Sequence, residues 1–442
     1  MTSLTIKGGT LVSAHGERRA DLVVEDGLVA RGGATNQRSE VIDATDLLVL
    51  PGMVDSHVHL MDPGPTERED FPSGTRAAAA RGVTTVVEHT HAHPIRSVTD
   101  LDEKRAHLVG RANVDHGLAA HVWPETIPQI RALAGVGITF FKIFTCDTHG
   151  VPGLDTAQLS AALDAIGDVG GTALIHNEDQ GLTADAERRL RADRRLDPGL
   201  LLEWRSRNAE LVAVAATGAV ALESGARVSF AHVSHPAVLD VIAFFRTMGA
   251  NLAAEACPQY FALDEDEVVK HGALRKFTPP ARIRNDEERS AMWQAVAGGR
   301  FSFFSTDHAP STLAQKTEGD FWTAPFGLPG LDTTLPFLID AALSGRMTMS
   351  DVVRLYSTAP AAWYRLPKGT LDVGADADLV LIDPAGSWTV DDSDIISKAG
   401  WSPYSGRTFK GRVVATYLRG TEIARDGIAH DRRGGRFVTP AL

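Results

Sequence analysis

Two kinds of hydrophobic pattern alternate along the chain. Short apolar runs rich in Val, Ile, Leu and Phe are separated by longer Ala-, Leu- and Arg-rich stretches with helical spacing. The short runs fall at residues 48–57, 83–88, 117–122, 138–144, 172–176, 228–232, 251–255 and 301–307. The stretches between them read as helices, among them 73–81, 156–169, 203–224, 236–247 and 287–298. Eight strand–helix units in series predict an α/β protein with a closed (β/α)8 barrel rather than an open sheet.

The two ends follow a different pattern. Residues 4–6, 10–13 and 21–24 are β-rich and broken by Gly8-Gly9 and Asp26-Gly27. Residues 378–382 and 412–418 read the same way, punctuated by Gly374, Gly411 and Gly420. Neither end alone has enough strands for a stable sheet. Both termini are therefore expected to build one small β-sandwich. This divides the chain into 1–50, a barrel at 51–365, and 366–442.

Composition narrows the class. Hydrophobic residues make up 43% and charged residues 23%, which is ordinary for a globular protein. The net charge of −12 argues against nucleic acid or an anionic membrane as partner. Two cysteines, Cys146 and Cys257, exclude a disulfide framework and fit a reducing compartment. Residues 1–8 show no leader pattern, and the longest apolar stretch, 211–222, is too short to span a bilayer. A cytoplasmic enzyme is expected.

A barrel places its chemistry at the C-terminal ends of its strands. The first run ends in His57-Val58-His59, whose period-two spacing puts both imidazoles on one face. The fourth carries Lys142 between phenylalanines, and the fifth and sixth end in His176 and His232. The eighth ends in Asp307-His308. Four imidazoles, a lysine and a carboxylate at one mouth suit two divalent cations, zinc first, with manganese or cobalt as alternatives. A buried lysine becomes accessible as the neutral amine. Carbon dioxide can then convert it to a carbamate whose two oxygens hold one metal each.

At these residues the chain resembles the amidohydrolase superfamily, in its branch of allantoinases, hydantoinases/dihydropyrimidinases and dihydroorotases. The motifs are Pro51-Gly52-Met53-Val54-Asp55-Ser56-His57-Val58-His59, Gly74-Thr75-Arg76, Phe141-Lys142-Ile143-Phe144, His176-Asn177-Glu178, His232-Val233-Ser234 and Cys257-Pro258-Gln259-Tyr260. Lys276 to Arg282, Thr306-Asp307-His308-Ala309-Pro310 and Ser402 to Arg407 complete the set. The resemblance implies that His57, His59 and Asp307 bind one metal and that His176 and His232 bind the other. It further implies that carbamylated Lys142 bridges the two. The implied reaction is attack of a metal-bridging hydroxide on a cyclic amide, with Asp307 moving the proton. Homodimers or homotetramers are common in such families.

Departures from the family pattern bear on the substrate. Dihydroorotases place an Arg two residues after the second histidine, and here that slot is Met61. Their Asn slot falls near His91, within His89-Thr90-His91-Ala92-His93. Arg96 is a candidate substitute for the missing carboxylate partner. Hydantoinases carry a Tyr shortly after the lysine, where this chain has Asp147 and His149. Candidate substrate contacts are therefore Met61, His89, His91 and Asp147, together with Cys257, Pro280 and His308 from the motifs. Cys257 also reads as buried packing. The histidine triplet admits a third metal position, substrate hydrogen bonding by His91 or His89, or a plain polar loop. An allantoinase- or hydantoinase-like hydrolase is the first reading. A dihydroorotase, a deaminase on the same barrel and a non-catalytic scaffold are its rivals.

Overall fold

The computed structural model describes residues 3–31 and 40–441. The first two residues of the stretch read for a leader, residues 32–39 of the N-terminal β segment, and residue 442 lie outside the described residues.

The barrel strands, in order, are Met53–Val58, Val83–Glu88, Asp115–Leu118 continued by Ala120–His121, Phe141–Phe144, Thr172–His176, Arg227–Phe230, Leu252–Ala256 and Phe303–Phe304. Each pairs in parallel with the next. The ring closes where Val58 bridges His308 and the His59 N–H donates to the His308 carbonyl at 2.8 Å. Thr306 N–H donates to Asp55 Oδ1 across the same seam at 3.2 Å. Nearly every strand residue is buried, as expected when helices cover the outer face and side chains fill the interior.

The small domain is a sandwich made from both termini. One sheet orders Leu28–Ala30, Leu22–Glu25, Ser3–Lys7 and Glu40–Asp43. The other runs from Ile428–Ala429 through Thr421–Arg425, Thr408–Leu418, Leu379–Thr389, Leu48–Pro51 and Thr10–Ser13 to Gly16–Arg19. Leu4, Ile6, Val24, Val49, Leu379 and Leu381 belong to its own core.

Three local differences from the sequence reading have physical causes. The run 48–57 is two strands. Leu48–Pro51 pairs antiparallel with Leu379–Thr389, whereas Met53–Val58 opens the barrel. Gly52 is the joint, and its N–H donates to the Asp378 carbonyl at 2.8 Å. The stretch 203–224 is broken into Leu200–Trp204 and Arg207–Ser224, because the Arg205 side chain turns into the interior and Ser206 caps the second helix. The eighth strand keeps only two ladder residues, Phe303–Phe304, and its continuation turns inward at Asp307, whose φ is +51°. Among the described residues no helix is long and apolar enough to cross a membrane.

Gly52, where the chain passes from the small domain into the barrel, is packed tightly against the second barrel strand. A Cβ there would lie 2.0 Å from Thr84 Oγ1 and 2.5 Å from its Cγ2. Gly52→Ala should therefore cost about 1–3 kcal/mol, as overpacking does. Adding Thr84→Ala should recover part of that loss. Thermal unfolding of the single and double variants checks this; equal loss in both would contradict it.

Candidate active site

The strand ends deliver the side chains to one place. His57 and His59 leave the first strand, Lys142 sits in the fourth, His176 ends the fifth, and His232 and Asp307 follow the sixth and eighth. His232 and Asp307 both have positive φ, at +40° and +51°. Such strained backbone collects where a side chain must be aimed.

Contacts within the cluster are short. Asp307 Oδ1 lies 3.1 Å from His57 Nε2 and 3.4 Å from His59 Nε2. Lys142 Nζ lies 3.4 Å from His57 Nε2, and His176 Nδ1 lies 3.0 Å from His232 Nε2. The outer ring nitrogens are held from behind. His57 Nδ1 meets Glu255 Oε1 at 2.8 Å, His59 Nδ1 meets the His89 carbonyl at 2.7 Å, and His176 Nε2 meets Glu178 Oε2 at 3.0 Å. Glu255 also accepts the His232 N–H at 2.9 Å. This is how histidines are fixed to present one lone pair inward, with a partner on the far nitrogen.

The electrostatics agree with a metal-ligating set. Burial, then the nearby Lys142, pushes His57 well below its usual range. Burial and His176 do the same to His232. Their imidazoles are neutral, as ligation requires. Burial brings the Lys142 amine down to about 8, against the pull of Asp307 and Glu255. Burial raises Glu255 to about 7, opposed by Lys142. For Glu178 burial works against the charge, but Arg205, His176 and Arg282 outweigh it and hold the carboxyl well below its usual range. Glu178 Oε1 takes Arg282 at 2.8 Å, while Oε2 takes Arg205 at 3.2 Å and Thr278 Oγ1 at 2.6 Å.

The cluster forms the floor of a cavity of about 350 Å³. Met61, Arg68, His91, Phe144, His149 and Phe326 are among its walls. Lys276 Nζ donates to the Phe321, Trp322 and Ala324 carbonyls and so anchors the loop that covers one side. A larger groove of about 800 Å³ between the small domain and the barrel contains none of the strand-end residues.

Of the substrate contacts expected from sequence, Met61 and His91 line the cavity. The others do not. Asp147 is exposed and turned outward, where it accepts from Gly153 N–H at 2.8 Å and Gln180 Nε2 at 3.1 Å. His149, two residues on, takes the wall position instead. Cys257 is fully buried, with Sγ 3.8 Å from both Glu255 Oε1 and Ser305 Oγ. Pro280 is buried outside the cavity lining, and Arg282, two residues on, turns inward to pair with Glu178 and Glu210; Phe277 and Thr278 reach the cavity instead. The His308 ring faces away. Its Nδ1 accepts from the Gly330 and Leu331 N–H groups, which leaves Nε2–H to donate to Glu69 at 3.2 Å. His89 lies behind the wall, its ring centre 4.8 Å from His57 and 4.3 Å from His59. Arg96 does not line the cavity. It stacks on Trp123 at 4.3 Å and faces Glu125.

The sequence reading passed over several residues that the structure brings in. Glu255 ends the seventh strand and so carried the same positional signal as the histidines. Glu178 stood inside a quoted motif without a role. His121 stood in the third predicted strand without being given a role, and Arg68, in a connection, gave no signal.

Comparison with known proteins agrees with this geometry. The pattern defining the amidohydrolase family matches residues 48–423. An allantoinase from Rubrobacter xylanophilus is 35% identical, over 99% of this chain and 97% of that protein. A dihydroorotase from Halobacterium salinarum is 34% identical over 86% of this chain and 88% of its own. Among solved structures, the L-hydantoinase (dihydropyrimidinase) from Arthrobacter aurescens superposes with a TM-score of 0.92. It is 28% identical and covers 99% of this chain and 100% of its own. The chain belongs to the amidohydrolase family.

Glu255 orients His57 and the His232 backbone together. Glu255→Ala should weaken zinc affinity about 10–100-fold, the usual cost of removing such an outer partner. Competition with a chromophoric chelator measures it. Unchanged affinity would show that Glu255 does not orient the ligands.

Proposed function

We propose that this enzyme hydrolyses a ring C–N bond of a small neutral cyclic amide, a lactam, imide or ureide of the allantoin or hydantoin type. One observation carries the reading. His57, His59, Lys142, His176, His232 and Asp307 share the floor of a single small cavity, and Met61 forms its wall where a substrate carboxylate would need a cation.

The residues present fit two divalent cations. His57, His59 and His176 turn one nitrogen inward with the other fixed by an outer partner, His232 joins them through Nε2, and Asp307 supplies an oxygen between His57 and His59. In our reading His57, His59 and Asp307 hold one cation and His176 and His232 the other. Lys142 would serve both cations as the carbamate it can form with carbon dioxide. Zinc suits this donor set first, with manganese or cobalt as alternatives. When bound, the two cations supply an activated water and polarise the substrate carbonyl.

The chain does the rest. Asp307 takes the proton from the attacking water and hands it to the departing ring nitrogen. Its left-handed backbone aims the carboxylate at the cavity floor. Phe144, Phe326 and the loop tied down by Lys276 restrict water around the ring. The product is a ring-opened acid bearing a ureido or amide group. Free, buried Cys146 and Cys257 fit a cytoplasmic enzyme, and family habit suggests a homodimer or homotetramer.

A second reading has a specific support. Arg68 lies in the cavity wall, where it spends Nε on the Pro310 carbonyl and one terminal nitrogen on the Phe326 carbonyl. Its remaining edge could hold the carboxylate of dihydroorotate.

Turnover of allantoin, hydantoin, dihydrouracil, dihydroorotate and succinimide by metal- and bicarbonate-loaded enzyme separates these readings. We expect a neutral ring to be opened and dihydroorotate to be refused. Preference for dihydroorotate, lost in Arg68→Met, would establish the second reading. Asp307→Asn should lower kcat by about 10²–10⁴-fold, the size of a lost general acid–base. Retention of most activity would remove Asp307 from the proton path.

A further inference from the structure

A second group of imidazoles stands beside the first. His89 and His91 follow the second barrel strand, and His121 ends the third. Their ring nitrogens lie within 4.8 Å of one another. Both nitrogens of His89, both of His121 and Nδ1 of His91 are buried without a hydrogen-bond partner. A neutral imidazole carries one N–H and one lone pair, and buried groups of this kind are ordinarily satisfied. In the central cluster His57, His59 and His176 each have an outer nitrogen that is taken, and only His232 Nδ1 is left without a partner.

The spacing is that of a ligand set. Three imidazoles on one tetrahedral ion, each with its nitrogen about 2.0–2.1 Å away, place their ring centres roughly 5 Å apart. In the central cluster His57 and His59 stand at 5.3 Å, and His176 and His232 at 4.8 Å. In the second group His91 and His121 stand at 5.3 Å, His89 and His121 at 5.9 Å, and His89 and His91 at 6.0 Å. Besides Lys142, whose charge reaches all three rings, two nearby cations are engaged elsewhere. Lys104 pairs with Glu88, and Arg96 stacks on Trp123.

We propose that His89, His91 and His121 bind one further divalent cation of the zinc class. Three neutral nitrogens with one open position form a recognised donor set for such an ion. His91 lines the cavity while His89 and His121 lie behind its wall, so the ion would sit just beneath the wall beside the central cluster. The site shares no ligand with the two-cation reading and does not depend on it.

The test counts ions. Apoprotein is prepared by chelation, reloaded with zinc in the presence of bicarbonate, desalted and assayed by plasma mass spectrometry. Wild type should hold one zinc per chain more than either His91→Ala or His121→Gln. His91 is in the cavity wall, so its truncation spares the core if His121→Gln fails to fold. Cobalt-loaded wild type minus His91→Ala should show the visible bands of a nitrogen-ligated tetrahedral ion. Equal zinc content in wild type and His91→Ala, with no difference spectrum, would overturn the site. Failure of the central pair is read separately: Lys142→Ala should lose the central ions and keep this one.

Discussion

The barrel mouth depends on keeping water away from Lys142. Its amine is buried 3.4 Å from an imidazole nitrogen, with Asp307 and Glu255 as its nearest charges. A solvated lysine would remain an ammonium and repel any cation brought to the four histidines. Burial lowers it to about 8, which makes a fraction of neutral amine available near neutral pH, the form that reacts with carbon dioxide. On the proposed reading, that reaction would replace a positive charge at the centre of the site with a negative one. Two cations then have a reason to sit together in a space lined by neutral rings.

Holding neutral rings in fixed orientations requires charge behind them. Glu255 serves one side, tying His57 to the backbone of His232. Glu178 serves the other and is itself held by Arg205 and Arg282, with Arg282 also paired to Glu210. Buried ion pairs of this kind add little net stability, because desolvation cancels much of their attraction, whereas losing one member leaves a costly unpaired charge. Their contribution here is geometric. The break between Leu200–Trp204 and Arg207–Ser224 is part of the same arrangement, since a continuous helix through Arg205 would not deliver its guanidinium to Glu178.

How much was legible in the sequence follows from where each residue stands. Residues at strand ends could be placed, because the barrel fixes the position of every strand end. That logic located His57, His59, Lys142, His176, His232 and Asp307 at one mouth, and it covered Glu255 too, although no role was drawn for it. Residues in loops could not be placed. Asp147 and His149 are two apart in one turn, yet the first caps Gly153 on the outside and the second lines the cavity. His308 adjoins Asp307, but the Gly330 and Leu331 N–H groups capture its ring. Cys257 and Pro280 lay in genuine motifs whose work is packing. Arg68 enters only through the fold, whereas His121, at the end of the third strand, fell under the same strand-end rule and was passed over.

The central claim is that Lys142 becomes the shared anion between two cations. Anomalous diffraction from crystals grown with zinc and bicarbonate tests it most directly. The account predicts two peaks, one beside His57, His59 and Asp307 and one beside His176 and His232, with density extending from Lys142 Nζ to meet both. A bare Lys142 amine with no ion between the two histidine pairs would contradict it.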